Sequence, residues 1–120
     1  MTTFKDGPRT AEYLISEANG HRSRETGVLA AGIVGELPPG SVLGKVTVGG
    51  AFKLYNPTAN DGSEVVACIL FEGGGAGDVR TMTARDSEVK ATKLTWFAGA
   101  TANQIATGVA ALAALGIIVR

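Results

Sequence analysis

The sequence predicts a mostly β fold with one C-terminal α-helix, built as a small single domain behind an extended N-terminal arm. Three observations carry this. Between residues 28 and 94, short apolar stretches of strand length alternate with turns rich in glycine, proline and asparagine. After Thr101 the apolar spacing changes to that of a helix. Residues 1–20 are mostly polar and differ in character from the other hundred.

Residues 1–20 are expected to form a flexible arm with little core of its own. Gly7-Pro8 and Asn19-Gly20 punctuate it, and its sizeable apolar residues are Phe4 and the cluster Tyr13-Leu14-Ile15. An edge strand over residues 12–16, packed on the body, is the other outcome open to the same residues. The β-rich domain then covers 21–120. Residues 28–33 are small, apolar and strand-like. Leu37-Pro38-Pro39-Gly40 is a turn, since Pro fixes φ and Gly accepts φ above zero. Residues 41–48 alternate, with Val42, Gly44, Val46 and Val48 on one face and Leu43, Lys45 and Thr47 on the other. Gly49-Gly50 signals a two-residue hairpin into a strand at 51–55. Residues 65–71 are an unbroken apolar run, as expected of a strand buried on both faces. Residues 73–77 are glycine-rich and predict a flexible surface loop. Strands are expected at 79–84 and 89–94, joined through Asp86-Ser87-Glu88.

The helix starts at Thr101, whose side chain caps it, with Gln104 three residues on completing a capping box. Ile105, Val109, Leu112 and Leu115 recur at helical spacing, and alanine fills much of the rest. Gly116 stands where a helix ends, and residues 117–119 form a last short strand.

Composition excludes several classes of function. The 120 residues hold 11 Lys and Arg against 11 Asp and Glu. That balance supplies neither the basic footprint of a nucleic-acid binder nor a polybasic membrane patch. One cysteine rules out an internal disulfide, and one Cys with one His falls short of the about four ligands of a closed zinc site. The longest apolar run, 109–119, is too short for the about 20 residues of a membrane helix. The first residues lack the apolar run of a signal peptide, so a cytoplasmic origin is expected. Charged residues make up 18%, below the about 25% usual for soluble domains, and mean hydropathy is +0.19. A small domain with so few charges is expected to bury apolar surface in an assembly.

No constellation of reactive side chains stands out. Cys68 lies inside the most apolar run, where a thiol behaves as an inert hydrophobe, while His21 lies in a polar stretch. The glycines at 73–77 are followed by Asp78, which would repel a phosphate, and not by the Lys-Ser/Thr of a P-loop. Asp61 with Glu64, and Asp86 with Glu88, sit in or beside turns as solvated carboxylates do. Lys45 lies mid-strand, away from the hairpin tip at which a carrier domain presents its modified lysine. The residues therefore give no catalytic group, no cofactor site and no metal site.

Several stretches taken together resemble the lambda-type head decoration (capsid cement) protein family of tailed phages. They are SEANG at 16–20 with SRE at 23–25, LPPGSVLGKV at 37–46, YNP at 55–57, DGSE at 61–64 leading into Ile69-Leu70, ARDSEV at 84–89, and AALAALGIIVR at 110–120. Their order and spacing span about residues 12–120. Cys68, and the extra glycine at 73–77, depart from the pattern. The resemblance implies a β-clip-like fold and a non-enzymatic cement protein. It implies a homotrimer at local three-fold sites on the outer surface of the expanded head, clamping the major capsid protein against packaged-DNA pressure. The protein would then be part of the virion, without direct contact to nucleic acid or membrane and without cofactors. On that footing, Glu12, Tyr13, Leu14 and Ile15 are the expected capsid-binding residues, and Trp96 and Phe97 the expected trimer contact. A β-clip module for a small ligand or glycan is the competing expectation, distinguished by a polar pocket and a monomeric mass.

Overall fold

The computed structural model describes residues 9–120, and the backbone pairing explains its layout. In chain order the elements are β1 (Leu14–Glu17), β2 (Arg24–Val28), β3 (Glu36–Leu37), β4 (Val42–Lys45), β5 (Phe52–Leu54), β6 (Val66–Leu70), β7 (Gly74–Gly75), β8 (Val79–Thr83), β9 (Ser87–Val89), a 3-10 turn (Ala91–Lys93), α1 (Ala102–Ala114) and β10 (Ile117–Val119). Five strands form an antiparallel sheet in the order β2-β8-β6-β4-β5. This sheet curls until its outer strands touch, where Leu29 bridges Phe52. A second sheet, β1-β9-β10, pairs β1 antiparallel and β10 parallel to β9. The expected fold class, mostly β with one C-terminal helix, holds.

Of the apolar run at 65–71, Val66–Leu70 forms β6 and is enclosed because it has a core on each side, while Val65 lies outside the strand and is 64% exposed. Leu43 faces Cys68 and Gly44 faces Val66, so Ala67 is an extra residue, a bulge. The bulge resets the alternation. Val66 and Ile69 join Tyr13, Val42, Tyr55, Val89, Leu112 and Ile117 in one core, while Cys68 and Leu70 join Leu29, Leu43 and Met82 in the other. The adjacent Val42 and Leu43 of β4 divide the same way.

The helix begins as predicted. Thr101 Oγ1 accepts from the Gln104 N–H at 3.2 Å, and Gln104 Oε1 accepts from the Thr101 N–H at 3.0 Å. Gly116 ends it at φ +87°. The buried stripe differs from the expected one: Gly108 and Leu112 are buried, Ile105 and Val109 are half-buried, and Leu115 is exposed. Helix and body approach closely at Gly108, where a Cβ would press into the Trp96 ring.

Other expectations need correction. The hairpin between β4 and β5 has a four-residue loop, not a two-residue turn, since the Val46 N–H donates to the Ala51 carbonyl at 2.8 Å. Gly49 and Gly50 still supply the positive φ it needs, at +86° and +72°. The loop is longer because Thr47 is claimed elsewhere: its N–H donates to the Asp61 carbonyl. The strand expected at 89–94 stops at Val89, the last residue paired on both sides, and turns through the 3-10 segment. The strand expected at 28–33 lies earlier, as β2, whose half-exposed face carries polar residues and so shows no apolar run. The glycines expected in a flexible loop include β7, which pairs with β3, and Gly74 is buried.

Of the residues expected in a flexible arm, 1–8 lie outside the described residues. Residues 14–17 form β1, the edge-strand outcome, and Tyr13 is 1% exposed in the core. Its apolar ring gains more from burial than a free arm could return.

Asp61 ties the DGSE loop to the body. One carboxylate oxygen accepts from the Ser63 N–H at 3.1 Å and the Ser63 hydroxyl at 2.6 Å, and the other pairs with the Lys53 ammonium. Glu64 accepts from the Gly62 N–H at 2.8 Å. The two carboxylates staple a turn. Lys53 and Ser63 hold the Asp61 carboxyl well below the usual carboxylate range.

Gly108→Ala is expected to cost about 1–3 kcal/mol in denaturant unfolding, because overpacking against Trp96 must be relieved by backbone or ring movement. Asp61→Asn is expected to lower Tm at neutral pH. A carboxyl whose folded pKa is depressed stabilises fully above its unfolded value, and the benefit is lost as pH falls through the folded one. The Tm gap to wild type should therefore stay constant above about pH 5 and shrink below about pH 4.

Candidate functional site

The expected capsid-binding residues sit where the chain joins the three-stranded sheet, and the structure gives them different tasks. Tyr13 is a peg: its hydroxyl and the Thr83 hydroxyl are 2.6 Å apart, both buried. Burial pushes the phenol well above its usual range. Leu14 packs on the core that Tyr13 enters. Ile15 is the irregular residue between Leu14 and Ser16 in the β1–β9 register, and is 47% exposed. Glu12 accepts from the Arg9 N–H at 3.1 Å and faces the Lys93 ammonium at 3.6 Å. The Arg9 N–H and the Lys93 charge hold its carboxyl below the ordinary value. Ala11 turns the chain at φ +58°, a left-handed conformation costly for a residue with a Cβ.

A second anchor lies at the other end of β1. Glu17 accepts from the Ser23 hydroxyl at 2.6 Å and pairs with the Arg24 guanidinium, which lies 4.5 Å from the centre of the Phe71 ring. Sequence reasoning missed this knot. The SEANG and SRE motifs contain its three polar members, but only the paired sheets bring them together.

Tyr13 and Arg120 meet the chain after β9 at one end of the β1-β9-β10 sheet. The Lys90 N–H donates to the Tyr13 carbonyl at 2.7 Å, and the Ala91 N–H donates to the Arg120 carbonyl at 3.0 Å. Adjacent strands lie about 4.8 Å apart, so Leu14 and Val119, both opposite Val89, are about 10 Å from each other.

The expected trimer residues also separate. Trp96 and Phe97 meet Tyr55 edge-on, with ring centres 6.2 Å and 6.1 Å away. Trp96 is wedged beneath α1 at Gly108, which makes it a packing residue of this chain. Phe97 lines an open groove of about 460 Å³ with Ile33, Val34, Leu37 and Leu54, and Val34 is 95% exposed.

Cys68 is buried with its sulfur 3.5 Å from that of Met82, and burial pushes its thiol up to about 12, leaving a negligible thiolate fraction at neutral pH. His21 is exposed on the turn before β2. Asp86 pairs with Arg22, and Glu88 with Arg120, so each is part of a surface ion pair. Among the described residues there is no group of three or more His, Cys, Asp or Glu placed to hold a metal ion. Nor is there a helix long and apolar enough to cross a membrane.

No curated protein matches the chain. A family model does: bacteriophage lambda head decoration protein D, over residues 3–117. That span takes in β1 to β9 and the whole of α1, and reaches the first residue of β10. The chain belongs to the bacteriophage lambda head decoration protein D family, structural proteins of the phage head that bind its capsid.

Proposed function

We propose that this protein is a capsid cement: a homotrimer seated at local three-fold positions on the outer surface of the expanded head, clamping neighbouring major capsid subunits against the pressure of packaged DNA. The observation that carries it is the family match across residues 3–117. The low charge content agrees, because a ring of three buries one contact per subunit and its underside buries another.

The chain segment ahead of Tyr13 is the capsid-binding arm. Tyr13 and Leu14 fasten it to the body, and Ile15 and Glu12 face the shell protein. Ordering a segment on binding costs about 2–5 kcal/mol, so a single arm holds weakly. Three arms on one rigid trimer gain a factor on the order of 10² to 10⁴ through effective concentration. Phe97, with the Val34 groove beside it, makes the contact between copies, while Trp96 supports it from within.

Purified protein mixed with expanded, undecorated shells should appear as density at three-fold positions, and compact precursor shells should bind it much more weakly. Equal affinity for both would remove any bias toward the expanded form. Deleting residues 1–8 should leave the folded body and the trimer intact and weaken shell binding at least about tenfold. Deleting residues 1–18 is a poorer test, since it also takes Tyr13 out of the core.

A further inference from the structure

We propose that the outer edge of β2 is a strand-addition site for an extended segment of the shell protein, seated in the cleft between β2 and the β4–β5 hairpin. The choice of partner rests on the function proposed above; the site itself rests on the pairing of β2.

The Ser23 carbonyl accepts from the Ala84 N–H at 2.8 Å, and the Leu29 N–H donates to the Asp78 carbonyl at 2.9 Å. In an antiparallel pair such exchanges recur at every second residue, so residues 23, 25, 27 and 29 turn toward β8. Thr26 and Val28 therefore direct their N–H and C=O groups outward. Both residues are exposed, Val28 at 45%. The five β2–β8 pairs run without a bulge, β2 contains neither Pro nor Lys, and its two charges are already paired, Arg24 with Glu17 and Glu25 with Arg85. Bulges, Pro and unpaired charges are the usual devices that keep an edge from pairing.

The other edges are defended. β1 carries the irregularity at Ile15. β5 is covered where the Ala30 N–H donates to the Phe52 carbonyl at 2.8 Å. β10 has three residues, and β3 and β7 have two each. Among the described residues, β2 is the longest regular edge, open ahead of Leu29, where the bridge to Phe52 closes it.

Its surroundings state what fits. The barrel is closed at Leu29 and Phe52 and opens from there into a cleft of about 1080 Å³. Phe52, Cys68 and Met82 line its floor. At the mouth the Lys45 ammonium stands 5.7 Å from the centre of the Phe52 ring, with no carboxylate partner among the described residues. Across from it Glu25 is already paired with Arg85. The complementary occupant is an extended chain that pairs with Thr26 and Val28, turns an apolar side chain toward Phe52 and brings a carboxylate to Lys45. The family decorates the phage head and binds its capsid, which favours the shell protein as the occupant.

The test is hydrogen exchange on the full-length protein, free and bound to expanded shells. The Thr26 and Val28 amides should exchange quickly in the free protein and at least tenfold more slowly on shells. Thr26→Pro removes an outward N–H and leaves the β2–β8 ladder intact. It should weaken shell binding at least tenfold without changing the solution mass. Unchanged exchange at both amides on bound shells overturns the proposal, as does wild-type affinity in a folded Thr26→Pro. Amides already protected in the free trimer assign the edge to another copy and also overturn it. If Thr26→Pro does not fold, the exchange result decides. Failure of the wild-type protein to bind shells would instead overturn the cement function.

Discussion

Strand β6 has no face toward solvent, and the rest of the fold is arranged by that constraint. Five apolar residues in a row cannot all point one way in a strand, so cores are needed above and below. The bulge at Ala67 decides which residue serves which core. The helix, Tyr13 and the β1-β9-β10 sheet cover one side, and the β4–β5 hairpin with the curl toward Leu29 covers the other. In a domain of this size each core is small.

The division leaves polar side chains with local duties. Asp61, Glu64, Glu17 and Asp78 each accept hydrogen bonds that close a turn or join two segments. Arg22, Arg85 and Arg120 are in exposed ion pairs, worth little to stability but enough to keep those surfaces wet. The one thiol is sealed in a core. The surface that remains is edge strand, exposed valine and shallow groove, which suits a head decoration protein whose work is adhesion.

Attachment and exposure are separated along residues 13–24. Tyr13 and the Glu17–Ser23–Arg24 knot hold β1 to the body from two ends, and the residue between that gains exposure, Ile15, does so through a break in register. A segment fastened on both sides of an outward-facing residue can present it without drawing on binding energy to order it. Arg9 and Thr10, ahead of the turn at Ala11, lie outside that clamp.

Residue order alone determined the fold class, the capping box at Thr101, the end of the helix at Gly116 and the buried strand within 65–71, observed at Val66–Leu70, because each depends on spacing within a few residues. It also carried the family, through motifs spread over the chain. Tertiary structure decided the rest. Tyr13 belongs to the core because Thr83, seventy residues away, offers its hydroxyl a partner. Gly108, not a larger residue, meets the body because Trp96 already fills that space. The hairpin loop lengthens because the Asp61 carbonyl takes the Thr47 N–H. The open edge of β2 exists only because its neighbour in the sheet is β8, and strand order is set by long-range packing that no local pattern records.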